Sequence, residues 1–126
     1  MPATDVVLTE LQPIFGIAPA SINAASTSSA AIDLVTYDGV FAIVFAVGAI
    51  AAASTGITIT TDPASGGAFT TLAYSGPLLT SANNNSTQVT YFDCRNCQRF
   101  IKLNIVQNTP AAGICGASIV AFKKVK

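Results

Sequence analysis

Residues 40–50 read Val-Phe-Ala-Ile-Val-Phe-Ala-Val-Gly-Ala-Ile, and this stretch decides the fold. Phe41, Ile43, Phe45 and Val47 alternate with Ala42, Val44, Ala46 and Gly48, the period of two that belongs to a β-strand. The large residues mark a core side. The small ones are apolar too, which predicts a strand buried on both faces, either central to a sandwich or carrying a subunit contact on its small-residue side.

The same run raises the question of a membrane span, because Gly39–Ala53 is apolar and no charge falls between Asp38 and Asp62. A helical span needs roughly 20 predominantly apolar residues. Here Ser54, Thr55 and Gly56 interrupt the run after 15 residues, and Ile57-Thr58-Ile59-Thr60 then alternates as a strand does. No Lys or Arg flanks the run to set an orientation, so no membrane partner is expected.

Further β-type runs lie outward on both sides. Ile32–Thr36, Ile57–Thr61, Ala68–Ala73, Ser86–Phe92, Arg99–Gln107 and Cys115–Lys123 are separated by Tyr37-Asp38-Gly39, Asp62-Pro63-Ala64-Ser65-Gly66-Gly67, Ser75-Gly76-Pro77, Asn83-Asn84-Asn85 and Thr109-Pro110-Ala111-Ala112-Gly113. Ile101, Leu103 and Ile105 alternate with Lys102 and Asn104, giving a strand with one buried face. About seven strands at this spacing predict an all-β, antiparallel β-sandwich or barrel over residues 31–126. Residues 1–30 carry Pro2, Pro13 and Pro19 and a small-residue stretch at 18–31, which reads as an extended N-terminal arm or a meandering edge.

Composition narrows the function classes. The 126 residues are 51% hydrophobic and 10% charged, with no His and no Trp. Charge that sparse leaves a surface poorly defended against association, and Thr58, Thr60, Thr70, Thr71, Thr87 and Thr90 supply hydrogen-bonding capacity without charge. The net charge of zero conceals a sorting, with all six acids at or before Asp93 and all six basic residues from Arg95 onward. That polarity predicts contact between the two portions, as neighbouring strands or as complementary patches between copies. No basic face with interleaved aromatics exists, so no nucleic-acid partner is expected.

Catalytic chemistry finds little to work with. Without His, Ser-His-Asp and Cys-His systems are impossible within the chain. Cys94-Arg95-Asn96-Cys97 has the spacing of half a zinc site or of a redox pair, and Cys115 adds a third thiol. A structural zinc normally takes four ligands, so these cysteines are read as structural thiols, with no cofactor and no metal. A small zinc- or thiol-dependent cytosolic protein using Cys94, Cys97 and Cys115 is the alternative from another class. The odd cysteine count and the absence of a basic n-region fit folding in the cytosol of the cell that makes the protein.

The order Gly16-Ile17-Ala18-Pro19, Asn23-Ala24-Ala25, Ile32-Asp33-Leu34-Val35-Thr36-Tyr37-Asp38-Gly39-Val40, Ile57-Thr58-Ile59, then Phe92-Asp93-Cys94 and Arg99–Gln107, resembles small virion structural proteins of tailed bacteriophages, especially capsid decoration or cement proteins. Cys97 and the basic tail depart from that pattern. The resemblance implies a non-enzymatic β-rich protein on the virion capsid surface. It would bind the major capsid protein in many copies, clamp neighbouring subunits and form homo-oligomers, with trimers one such state. The contact residues it then nominates are Ile14, Phe15, Ile17 and Ile22 in the arm, together with Arg95, Arg99, Lys123, Lys124 and Lys126 in the basic portion. A head-to-tail or tail-tube component is the alternative within virions.

Overall fold

A computed structural model describes residues 11–35, 37–50, 54–108, 111 and 113–123. Among these residues nine strands form: β1 Leu11–Ile22, β2 Ser26–Ser28, β3 Ile32–Asp33, β4 Tyr37–Ala49, β5 Ser54–Asp62, β6 Thr71–Leu79, β7 Ser86–Asp93, β8 Phe100–Asn108 and β9 Gly113–Lys123. They make two antiparallel sheets, one in the order β1-β9-β4-β7 and one in the order β2-β8-β5-β6, with β3 also on β8. The sheets stay separate, so of the two all-β readings the sandwich is the one adopted. No helix among the described residues is long and apolar enough to cross a membrane.

The period of two places the core. Phe41, Ile43, Phe45 and Val47 of β4 and Ile119, Ala117 and Cys115 of β9 meet Ile57 and Ile59 of β5 and Ile101, Leu103 and Ile105 of β8. At one end a ring ladder links the layers: Tyr37 to Phe41 at 6.0 Å, Phe41 to Phe92 at 5.4 Å and Phe92 to Tyr74 of the opposite sheet at 5.9 Å between centroids. The Tyr74 hydroxyl also hydrogen-bonds Thr90 Oγ1, which fastens β6 beneath β7.

Turn chemistry accounts for the connection after β5. Asp62 Oδ1 accepts from the Ala64 N–H at 2.9 Å, and the Gly67 N–H donates to the Ala64 carbonyl at 3.0 Å. A Cβ on Gly67 would sit 2.1 Å from Asp62 Oδ1, so a larger residue there would push the Asp62 carboxylate off the bond it makes in this turn. Between β4 and β5, Asn84 Oδ1 accepts from the Ile50 N–H at 2.8 Å, which gives the Asn cluster a tethering role.

Four expectations are corrected. Tyr37-Asp38-Gly39 is no turn: it begins β4, and Gly39, at φ +82°, sits in the register shift between Asp38 and Ala42. Ser75-Gly76-Pro77 is no separator either, because β6 runs through it with a bulge opposite Gly56–Thr58. Proline is tolerated there because β6 pairs on one side only, where a missing N–H breaks no ladder. The small-residue face of β4 is open, not buried: Ala42 and Val44 are half-buried and Ala46 is exposed. Of the two readings of the N-terminal stretch, its described part is the edge and not the arm: β1 pairs along β9 and β2 along β8 as edge strands of the sandwich. Residues 1–10 of that stretch lie outside the described residues.

Candidate functional site

Opposite charges meet at one end of the sandwich. Asp33 of β3 and Arg99, just before β8, are neighbours in space because β3 pairs with β8. Arg99 grips Asp33 through Nε–Oδ1 at 3.1 Å and Nη2–Oδ2 at 2.9 Å. Asp93 ends β7 and caps the 3-10 turn at Cys94–Asn96, accepting from the Arg95 N–H at 2.9 Å, while Arg95 Nη2 reaches Oδ2 at 2.7 Å. These bonds hold both carboxyl groups below the usual aspartate range. The two pairs join the acidic and basic portions of the chain inside one molecule, so Arg95 and Arg99 are exposed but already engaged.

An open cleft of about 370 Å³ lies beside them, lined by Leu34, Tyr37, Cys94, Cys97 and the two arginine side chains among others. Burial, then the neighbouring Cys94 and Asp93, push the Cys97 thiol up to about 11. Such a thiol is protonated at neutral pH and is a poor nucleophile. Cys115 pairs with Val47 while Asp93, next to Cys94, pairs with Val40, so Cys115 is seven residues along β4 from that end, roughly 23 Å at the rise of a strand. The three sulfurs therefore cannot share one ion, and among the described residues no group of three or more His, Cys, Asp or Glu side chains is placed to hold a metal.

On the outer face of the second sheet, Asn104 is almost fully buried although it points away from the core. Its Oδ1 accepts from Ser28 Oγ at 2.6 Å and its Nδ2 donates to Thr58 Oγ1 and Thr60 Oγ1, each at 3.2 Å. Phe69, at φ +52°, folds the loop after β5 onto this face, and Lys102 Nζ lies 4.7 Å from its ring centroid. The polar groups here satisfy one another and staple β2, β8 and β5 together.

The outer face of the first sheet differs in kind. Strand register sets three rows across β7, β4 and β9: Tyr91-Ala42-Val120, Val89-Val44-Ser118 and Thr87-Ala46-Gly116. None of these nine residues is charged. Val40, Val89, Tyr91 and Ile114 are each about half exposed or more on this sheet, and Ile17 and Ala18 of β1 close a shallow, mostly apolar groove over Val44, Ala46 and Ser118. Small residues make the face flat, so another backbone can approach it closely.

The nominated contact residues divide accordingly. Ile17 borders the apolar groove. Ile22 is corrected: at 4% exposure it belongs to the core and has no surface to offer. Ile14 and Phe15 are placed by register opposite Ile119 and Ser118, and Lys123 opposite Tyr37. Lys124 and Lys126 lie outside the described residues. Sequence reasoning missed Val89, Tyr91, Val120 and Ser118 as one surface, since only the cross-strand register brings them beside Ala42 and Val44; the signal available was the unexplained small-residue face of β4.

No protein family and no curated protein matches the sequence. Among solved structures, a chain of the Bacillus endospore appendages, disulfide-linked pili, superposes with a TM-score of 0.57 at 11% identity, covering 91% of this chain and 89% of that one. A family 6 carbohydrate-binding module gives 0.49 at 15% identity, with 92% and 84% covered. A chain of infectious bursal disease virus gives 0.47 at 14% identity, with 88% of this chain matching 31% of the viral one, so this chain spans about a third of it. At such identities a shared fold does not imply a shared function. Fold and side chains together define a two-sheet antiparallel β-sandwich module.

Proposed function

We propose that this module is a structural protein of a multi-copy surface assembly, and within that class a capsid decoration protein that binds the major capsid protein through the outer face of the first sheet. The single observation that carries the reading is the uncharged three-by-three face of β7, β4 and β9, on which Ala46, Thr87, Val89 and Tyr91 are exposed and Ala42, Val44, Ser118 and Val120 half-buried. The resemblance to phage decoration proteins gives the partner its chemistry: a repeated protein shell whose apolar contacts exclude water without needing a catalytic group. Binding across a seam favours the closed shell by the difference in affinity between closed and open forms, multiplied over many copies.

Heads lacking this protein, incubated with the purified chain and sedimented, test the proposal. Saturable binding at a stoichiometry fixed to the major capsid protein is expected, with loss of occupancy in Val44→Lys and Ala46→Glu, whose side chains point away from the core. Full occupancy by both folded variants refutes the assigned face. Six or twelve copies per particle would point to a head-to-tail component instead.

A further inference from the structure

Among the described residues the two sheets present four edges, β1 and β7 on the first and β2 and β6 on the second. An edge strand offers unpaired N–H and C=O groups to any other strand, and proteins blunt such edges with proline, bulges, charge or shortness. Three edges here are blunted. β1 carries Pro13 and Pro19 and two register shifts against β9. β2 has three residues. β6 carries Pro77 and two register shifts against β5.

β7 has none of these devices. Its eight residues, Ser-Thr-Gln-Val-Thr-Tyr-Phe-Asp, run against β4 in unbroken register from Val40–Asp93 to Val47–Ser86, without proline and with Asp93 as the one charge, at its end. Among the described residues it pairs with β4 alone. Four exposed large hydrophobics lie on this flank: Val89 and Tyr91 on β7 are 53% and 63% exposed, and Leu72 and Leu78 on β6 beneath it are 59% and 70% exposed.

We infer that β7 is the seam of a two-fold dimer, pairing antiparallel with β7 of a second copy to make one continuous eight-stranded sheet. A second copy is the occupant because β7 matches itself, with an unbroken register and with the exposed Val89 and Tyr91 placed symmetrically about Thr90; within that copy only β7 can receive it, since β1 and β6 are broken by proline and bulges and β2 is too short. With Thr90 opposite Thr90 of the other copy, each outer face keeps its side, since the register is even. Val89 then lies beside Tyr91 of the partner, twice by symmetry, a β-branched and aromatic pair of the kind that stabilises antiparallel strands. An isologous contact of this kind closes at two copies. The inference stands on edge geometry and does not depend on what the assembled protein binds.

Sedimentation equilibrium of the purified chain tests it, with folding checked by circular dichroism. The wild type should be a dimer. Val89→Lys with Tyr91→Lys places lysine beside lysine across the seam and should weaken association by at least about tenfold. Val89→Lys with Tyr91→Glu places lysine beside glutamate twice and should remain dimeric. A monomeric or trimeric wild type, or two double variants that behave alike, overturns the inference, and a strand partner of another protein would then be sought for the monomer.

Discussion

Replacing Thr55 by Val should raise stability. Thr55 lies on the inward face of β5 with Ile57 and Ile59, is fully buried and stands opposite Gln107 of β8. Its Oγ1 has no hydrogen-bond partner among the described residues, nor does Gln107 Oε1. A buried hydroxyl that leaves water without a partner costs about 1–3 kcal/mol. Valine has nearly the same shape and an equally strong strand preference, so the change removes that cost without opening a cavity. We expect a gain of about 1–2 kcal/mol. With an unfolding entropy of about 2.1 cal/mol/K per residue, 126 residues give roughly 0.26 kcal/mol/K, and the midpoint should rise by about 4–8 °C. Thr61 is the internal control. It sits on the same face of the same strand and is also buried, but its hydroxyl donates to the Phe100 carbonyl at 2.9 Å and accepts from the Gln98 N–H at 2.7 Å. Thr61→Val should therefore lower stability by about 1–3 kcal/mol. Thermal and urea unfolding of both variants measures the pair. A lowered midpoint for Thr55→Val would refute the reasoning, showing that its hydroxyl is bonded in solution, by Gln107 or by a buried water.

Phe92→Ala removes the middle ring of the ladder between Phe41 and Tyr74 and should cost about 3–5 kcal/mol in urea unfolding. Asn104→Ala should loosen β2 from the second sheet, read as faster hydrogen exchange at Ser29, whose N–H donates to the Leu103 carbonyl, with the β4 amides unchanged. The Asp33 carboxyl is lowered by its hydrogen bonds from Arg99 and Val35, so the folded state binds fewer protons than the unfolded chain. Its stabilising contribution is present above the ordinary value of 3.8 and is lost as pH falls through the depressed one, and Arg99→Gln should flatten that acid limb of the stability profile. Cys97 titrates at about 11 against an ordinary 9.0, so at pH 8 its thiolate fraction is about 100-fold below that of a free thiol, and alkylation by iodoacetamide should be slowed to match.

Period-two alternation made the core legible from sequence alone. Phe41, Ile43, Phe45 and Val47 facing Ile101, Leu103 and Ile105 follow from residue order, because a strand's side chains alternate whatever its neighbours are. The sorting of charge likewise foretold contact between the acidic and basic portions, which Asp33 and Arg99 make across β3 and β8. Local chemistry misled where pairing outweighs it: Tyr37-Asp38-Gly39 and Ser75-Gly76-Pro77 are turn-formers by composition, yet strand ladders on either side absorb them as bulges. β1 escaped notice because prolines and small residues carry no strand signal, and only β9 gives that segment a partner.

The sequence by itself determined an all-β chain with a strand-built core, without histidine chemistry and with too little charge to keep its surfaces apart. Tertiary structure alone decided which apolar faces are covered. Alternation says that Ala42, Val44 and Ala46 share a side, but whether a layer lies over that side depends on sheet order, and among the described residues β4 has its second layer on the Phe41 side. The edge is of the same kind: that β7 has one strand neighbour among the described residues while β4 has two is a property of how distant segments pair, which a run of residues cannot state about itself.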